Sequence, residues 1–133
     1  MSASSTMKDA DYLHDTTVII DYLRNHPPAI EYLDSIPQLT ISVITQAELI
    51  EGCRDKDELK QVMRIVSGLH VIPITPAISS LAVDLVEHHF LKDGVLFDDA
   101  LIAATAMDQN LTLVTTEKKH FRVIRDLPVQ KPY

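Results

Sequence analysis

The 133-residue sequence has little of several residue types that define common protein classes. Its one cysteine, Cys53, excludes an intramolecular disulfide framework and indicates a reducing compartment. Its three glycines, Gly52, Gly68 and Gly94, are isolated, so the sequence has neither a P-loop nor a dinucleotide-binding fingerprint. No apolar run approaches the ~20 residues needed to cross a bilayer. We therefore expect a soluble, cytoplasmic protein that does not bind membranes.

Basic residues are also in deficit. Nineteen acids against twelve Lys and Arg give a formal net charge of −7, which argues against broad, nonspecific attraction to nucleic acid. A nucleic-acid enzyme is still compatible with this charge, because bound divalent cations neutralise clustered carboxylates and basic side chains can cluster locally. From the length we expect a single folded domain over residues 10–133, preceded by a disordered leader over residues 1–9.

Predicted strands alternate with predicted helices along most of the sequence. Apolar and β-branched runs predict five strands, at 12–14, 39–43, 71–74, 111–115 and 121–124. Segments with helical periodicity separate the first four of them. This alternation implies right-handed crossovers and a mostly parallel sheet that is covered on both faces. The sequence therefore predicts a three-layer α/β/α fold.

An acidic pair, Asp98 and Asp99, precedes an unusually apolar helix. Residues 100–106 are only Ala, Leu, Ile and Thr, so this helix should be packed on nearly all sides. Asp is a good helix N-cap and favours the positive end of the helix dipole, so capping alone explains one of the two acids. We assign the cap to Asp98 and a functional carboxylate to Asp99, although their spacing alone does not distinguish them.

Three further acids lie at junctions between predicted strands and helices. Asp15 and Glu117 follow strands directly, and Glu48 lies in the first turn of a helix predicted to begin at Thr45. Because the carboxyl ends of parallel strands meet at one edge of a sheet, these acids and Asp99 can converge there. Each also has a structural interpretation: a helix cap for Asp15, a capping box with Thr45 for Glu48, and a solvated loop for Glu117.

Converged carboxylates repel one another, so either some of them bind protons or a cation lies between them. A ligand set made only of oxygens favours a hard cation. Mg²⁺ fits because it accepts a few carboxylates together with water and phosphate oxygens, and Mn²⁺ is its usual substitute. Such a site can bind a phosphodiester, lower the pKa of a bound water and stabilise an in-line displacement. The pattern therefore predicts metal-assisted phosphodiester hydrolysis.

Four segments of the chain resemble the PIN-domain family, and within it the VapC-type toxins. They are residues 13–24, 41–49, 99–106 and 113–117, and the ending Pro132-Tyr133 is also similar. Matched residue by residue, the family's metal-binding and catalytic acids, and its hydroxyl residue that supports the metal-bound water, fall on Asp15, Glu48, Asp99, Glu117 and Thr115. Two positions depart from the family pattern: Thr17 replaces the usual Asn or Ser, and Glu117 replaces the usual Asp or Asn.

The resemblance implies a Mg²⁺-dependent endoribonuclease that forms a homodimer and is inhibited by a VapB-type antitoxin encoded beside it. Such an antitoxin inserts a C-terminal segment into the toxin's groove and binds operator DNA through its own N-terminal domain, so the toxin contacts DNA only through the antitoxin. A basic group near Glu117 is a candidate RNA contact: Lys118, Lys119, His120, Arg122 and Arg125. A solvated strand edge explains the same residues equally well.

Two other hypotheses remain open at the level of sequence. The first is a catalytically weak PIN-like module that mainly binds an antitoxin or partner protein and co-represses its operon. The second is a nuclease outside toxin-antitoxin systems that acts on rRNA or DNA. The complete set of acids favours catalysis over a scaffold, because a module without activity would more easily have lost Asp15 or Asp99.

Overall fold

The computed structural model describes residues 11–133, so the predicted leader over residues 1–9 lies outside the described residues. Within them the chain forms five strands and seven helices. In chain order these are β1 (Tyr12–His14), α1 (Thr16–Leu23), α2 (Pro27–Asp34), β2 (Thr40–Ser42), α3 (Val43–Glu51), α4 (Lys56–Val66), β3 (His70–Ile72), α5 (Pro76–Asp93), α6 (Phe97–Asp108), β4 (Thr112–Val114), α7 (Lys118–Phe121) and β5 (Val129–Gln130). None of these helices is long and apolar enough to cross a membrane.

All paired strands run parallel. β4 lies between β1 and β5, and β2 pairs with β3. β1 also lies beside β2, so the three-stranded and two-stranded groups are neighbours. The strand order is therefore β5, β4, β1, β2, β3. The predicted parallel α/β sheet is therefore confirmed, with β1 and β4 at its centre.

Helices cover both faces of this sheet. Successive side chains of a strand point to opposite faces, and Leu113 and Val114 of β4 do so here. Leu113 packs into a core with residues of α5 and α6, whereas Val114 packs into a second core with residues of α1, α3 and α4. The predicted three-layer α/β/α arrangement is therefore confirmed.

Helix α6 is deeply buried, as its apolar sequence predicts. All seven residues from 100 to 106 are buried. Helix α5 before it ends at Gly94, whose φ of 72° lies in the left-handed region that favours glycine and allows the chain to turn towards α6. Close packing around α6 gives the acids of its first turn a rigid base.

The last predicted strand is wrong. Residues 121–124 form the end of α7 and the turns after it, and the fifth strand is β5. Phe121, Ile124 and Leu127 are all buried. The N–H groups of Ile124 and Leu127 donate to carbonyls three residues earlier, at 3.0 and 3.2 Å. The apolar residues of this segment therefore follow the three-residue spacing of successive tight turns, not the alternation of a strand.

Helix α3 begins earlier than predicted, at Val43. Ser42 is its N-cap, and the Ser42 hydroxyl accepts a hydrogen bond of 3.0 Å from the N–H of Ile44. The β-branched residues at 43 and 44 favour a strand, but the serine cap directs them into the helix. Thr45 is therefore inside α3, and the capping box proposed for Thr45 and Glu48 is wrong.

Candidate active site

Asp15 lies at the end of β1, at the edge of the sheet where the site is predicted. Its N–H donates to the carbonyl of Val114 at 2.8 Å, which extends the pairing of β1 with β4. Asp15 is also the N-cap residue of α1, but its side chain makes no capping hydrogen bond. Its Oδ2 instead accepts hydrogen bonds from the hydroxyls of Thr115, at 2.8 Å, and Thr17, at 3.1 Å. Capping alone therefore does not account for this carboxylate, because hydroxyls of α1 and of the turn after β4 also hold it, and Asp15 is only 4% exposed.

Thr115 connects the end of β4 to the same carboxylate. Its hydroxyl donates to Asp15, accepts from the N–H of Glu117 at 3.0 Å, and lies 3.4 Å from the hydroxyl of Thr17. Thr17 in turn accepts a hydrogen bond of 3.3 Å from the N–H of Thr116. Thr115 therefore satisfies the backbone of its turn and also orients Asp15.

Glu48 reaches the site from the second turn of α3. Its Oε1 accepts a hydrogen bond of 2.6 Å from the hydroxyl of Thr16. The Thr16 hydroxyl also lies within hydrogen-bonding distance, 2.9 Å, of the hydroxyl of the buried Thr45. These contacts join the first turns of α1 and α3. Thr16 and Thr45 were not predicted from the sequence as part of the site, although each hydroxyl is close in sequence to a predicted acid.

Helix α6 brings two carboxylates to the site. Its N-cap is Leu96, so the prediction that Asp98 caps the helix is wrong. Asp98 accepts a hydrogen bond of 2.9 Å on Oδ1 from the N–H of Asp99, and its side chain lies beside Glu48. The acid at position 98 is visible in the sequence, but its contact with Glu48 on another helix depends on the tertiary fold.

Burial raises the pKa of Asp15 and of Glu48 above their ordinary values. For Asp15, the hydrogen bond from Thr115 is the strongest influence opposing burial. For Glu48, the hydrogen bond from Thr16 opposes burial, whereas the carboxylates of Asp98 and Asp15 raise its pKa further. In both carboxylates, hydrogen bonds from neighbouring hydroxyls therefore counteract the effect of burial on the pKa.

Burial and two of the same carboxylates, Asp98 and Asp15, raise the pKa of Asp99. Its pKa is raised to about 6, first by burial and then by the charges of Asp98 and Asp15, while His120 acts in the opposite direction. The carboxylates of β1, α3 and α6 therefore form one electrostatically connected cluster, which we call the acidic cluster: Asp15, Glu48, Asp98 and Asp99.

Glu117, the remaining predicted ligand, lies at the rim of the acidic cluster. Its side chain is 44% exposed, and its Oε2 lies 3.9 Å from Nε2 of His120. The backbone of Glu117 is attached to the site through its hydrogen bond to Thr115, and the role of its carboxylate as a ligand stays a prediction.

The donor chemistry of the acidic cluster fits a hard divalent cation, because its side chains offer only carboxylate oxygens and the adjoining threonines only hydroxyls. Within residues 11–133, no three His, Cys, Asp or Glu side chains form a ready-made metal cage. Mg²⁺ usually keeps several waters and takes one or two carboxylates, so a cage is not required.

These features define a class of protein: a parallel α/β protein whose strand ends and adjoining helices present carboxylates suited to a divalent metal. The chain belongs to the PIN-domain family, since the family model described as PIN domain matches residues 12–127. The match includes every predicted site residue, and it confirms the resemblance found in the sequence.

Three similar proteins extend the comparison. A protein named Ribonuclease VapC10, from Mycobacterium tuberculosis, is 35% identical over 119 residues, which cover 86% of this chain and 89% of the relative. A toxin-antitoxin complex from Klebsiella pneumoniae contains a chain with a TM-score of 0.76 and 31% identity, covering 92% of this chain and 98% of that one. The structure of VapBC2 from Rickettsia felis bound to promoter DNA gives a TM-score of 0.75 at 25% identity, covering 90% and 97%.

Asp99→Asn is expected to become increasingly more stable than the unsubstituted, metal-free protein as the pH rises. The pKa of Asp99 is about 6 in the folded protein, against an ordinary value of 3.8. The unsubstituted protein therefore loses stability as the pH rises through this window, whereas asparagine does not ionise. The full shift corresponds to ~3 kcal/mol. Because solvent screens the partly exposed Asp99, we expect the free energy of unfolding of Asp99→Asn to exceed that of the unsubstituted protein by about 1–2 kcal/mol above pH ~7.

Urea unfolding in EDTA at several pH values measures this difference in free energy of unfolding. Asp84→Asn is the matched control, because Asp84 is exposed on α5 and lies outside the acidic cluster. Parallel stability curves for Asp99→Asn and the unsubstituted protein would contradict the electrostatic description of the acidic cluster.

Proposed function

We propose that this chain is the toxin of a VapBC-type toxin-antitoxin system and acts in the cytoplasm as a Mg²⁺-dependent endoribonuclease. The observation that carries the proposal is the acidic cluster, in which burial and the carboxylates of Asp98 and Asp15 raise the pKa of Glu48 and of Asp99. A divalent metal relieves this repulsion and is the usual partner of carboxylates in phosphodiester hydrolysis. The relative named Ribonuclease VapC10 supports RNA as the substrate.

Asp15, Glu48 and Asp99 are the residues that would hold Mg²⁺, with Glu117 completing the set from the rim. When bound, the metal supplies Lewis-acid chemistry and lowers the pKa of a water that attacks the phosphodiester. The chain itself provides orientation: the Thr115 hydroxyl donates to Oδ2 of Asp15 and so restricts rotation of that carboxylate. Burial of Asp15 excludes bulk water from it, which strengthens its attraction to positive charge.

Basic residues adjoin the acidic cluster on α7. Lys118, Lys119 and His120 are exposed there, and His120 lies beside Glu117 at the rim of the site. They lie on a helix, so the alternative of a solvated strand edge is wrong for these three residues. Side chains of this kind bind phosphate oxygens and position the backbone of a nucleic acid without reading its sequence. We propose that they hold the RNA strand next to the carboxylates.

Purified protein is expected to cleave a mixed pool of single-stranded and structured RNAs in the presence of Mg²⁺ or Mn²⁺. Asp99→Asn should lower the cleavage rate by on the order of a hundredfold or more, as does removal of one electrostatic group from other active sites. EDTA should abolish cleavage, and Asp84→Asn should leave it unchanged. Absence of cleavage, together with absence of Mn²⁺ binding in calorimetry, would contradict the proposal and favour a partner-binding module.

We propose that a VapB-type antitoxin inhibits this chain by binding in the groove between α1, α3 and α4. The groove has a volume of about 390 Å³, and its lining includes Ile20, Leu23, Leu49 and Val62. Glu48 also lines it, so a bound segment reaches the acidic cluster. The solved toxin-antitoxin complex from Klebsiella pneumoniae supports such a partner. Contact with operator DNA then runs through the antitoxin.

Leu23→Asp is expected to weaken inhibition by the antitoxin encoded beside the gene, because it places a charge in the apolar part of the groove. The inhibitor concentration that halves RNA cleavage should rise by about tenfold or more, in line with the loss of one apolar anchor. Val83→Asp is the control, because Val83 is 55% exposed on α5 and does not line the groove. Equal inhibition of the two variants would place the antitoxin elsewhere.

We also propose that the protein is a homodimer. Four large apolar side chains are exposed at the end of α5 and the start of α6: Phe90 at 47%, Leu91 at 95%, Leu96 at 58% and Phe97 at 49%. Exposed apolar groups that lie together mark association surfaces. A second copy of the chain bound there would lie next to the acids of α6.

Leu91→Asp is expected to convert the dimer to a monomer, because a charge in the buried centre of an interface costs several kcal/mol. Light scattering coupled to size-exclusion chromatography measures the mass. Leu59→Asp is the control, since Leu59 is 37% exposed on α4 and lies outside this surface. A monomeric mass for the unsubstituted protein at micromolar concentration would refute the dimer.

A further inference from the structure

The side chain of Glu48 accepts a short hydrogen bond from the first turn of α1. Its Oε1 lies 2.6 Å from the hydroxyl of Thr16, and the same hydroxyl lies 2.9 Å from that of Thr45. Thr16 is 7% exposed and Thr45 is fully buried. The donor to Glu48 is therefore held inside the contact between α1 and α3, and not on a mobile surface side chain.

The hydrogen bond from Thr16 opposes the electrostatic repulsion between Glu48 and the other carboxylates of the acidic cluster. Glu48 faces the negative charges of Asp98 and Asp15, and its long side chain can rotate away from them towards solvent. A hydroxyl that donates to a carboxylate forms a charge-assisted hydrogen bond, which is stronger than one between neutral groups. Thr16 is β-branched and lies in the first turn of α1, so its own side chain has few rotamers. It can hold Glu48 against the repulsion without adding positive charge to the site.

We propose that Thr16 is a positioning residue, whose hydroxyl keeps the Glu48 carboxylate in the acidic cluster and so preorganises the metal site. Thr45 supports it from inside α3, since its buried hydroxyl lies 2.9 Å from that of Thr16. This inference rests on the proposed metal-dependent nuclease. The Thr16 hydroxyl therefore serves Glu48. The carboxylate of Asp15 accepts its hydrogen bonds from the hydroxyls of Thr115 and Thr17 instead.

Thr16→Val removes the hydroxyl and keeps the shape, whereas Thr16→Ser keeps the hydroxyl. We expect Thr16→Val to weaken Mn²⁺ binding, measured by calorimetry on EDTA-stripped protein, by about tenfold, and to lower RNA cleavage with it. Thr16→Ser should restore both to within about threefold of the unsubstituted protein. Thr16→Ala removes the same hydroxyl with less bulk, and it replaces Thr16→Val if valine prevents folding.

Thr105→Val is the matched control for loss of a buried hydroxyl. Thr105 is fully buried in α6, and its hydroxyl donates to the carbonyl of Leu101 at 2.7 Å, away from the acidic cluster. This variant should bind Mn²⁺ as the unsubstituted protein does. A purely structural effect of Thr16→Val would appear in Thr105→Val too.

A double-mutant cycle with Glu48→Gln tests whether Thr16 acts through Glu48. In the Glu48→Gln background, Thr16→Val should cause no further loss of Mn²⁺ affinity. A full tenfold loss in that background, or Mn²⁺ binding by Thr16→Val equal to that of the unsubstituted protein, would overturn the inference while leaving the nuclease proposal intact. Failure of the unsubstituted protein itself to bind Mn²⁺ would overturn both.

Discussion

Mutual repulsion among carboxylates at one end of the parallel sheet is the constraint on which the rest of this structure depends. Carboxylates of β1, α3 and α6 are brought together, and burial makes their charged forms costly. Threonine hydroxyls donate to Asp15 and Glu48, and no lysine or arginine among residues 11–133 lies at hydrogen-bonding distance from these two carboxylates. A hydroxyl stabilises a carboxylate without cancelling its charge, so the site keeps the negative potential that attracts a cation.

The scaffold supplies the free energy that holds these charges together. Asp15 follows directly on β1, whose pairing with β4 lies at the centre of the sheet. Asp99 lies at the start of α6, which is buried along its middle on all sides. Burial of apolar surface on both faces of the sheet contributes the dominant favourable term, and none of it depends on the acids. Apolar burial therefore outweighs the cost of crowding the carboxylates, which lowers the stability of the folded chain.

The sheet and the carboxylates of Asp15, Glu48 and Asp99 could be predicted from the sequence because each rests on a local signal. Strand runs, helical periodicity and acids at element junctions are all visible within about ten residues. The segment 121–124 was mispredicted because its apolar residues satisfy both an alternating and a three-residue pattern, and only its packing distinguishes them. The start of α3 was predicted too late, at Thr45, because Val43 and Ile44 have a high propensity for strands. The N-cap Ser42 outweighs that propensity.

The contacts of Thr16 and Asp98 with Glu48 could not be predicted, because they join residues from different helices. A hydroxyl next to an acid is common in sequences, and only the fold shows which hydroxyl reaches which carboxylate. The resemblance to the PIN-domain family identified the acids, but the supporting hydroxyls around Glu48 emerged from the geometry alone.

The hydrogen bond between Thr115 and Asp15 joins residues that are 100 positions apart in the chain. During synthesis, β1 leaves the ribosome early and has no partner strand from β4 until nearly all of the domain has been made. The carboxylate of Asp15 therefore gains the Thr115 hydroxyl only after most of the domain has been synthesised. A nascent chain carries the first acids of the site without all of the contacts that hold them, so the order of synthesis delays assembly of the site until β4 has been made.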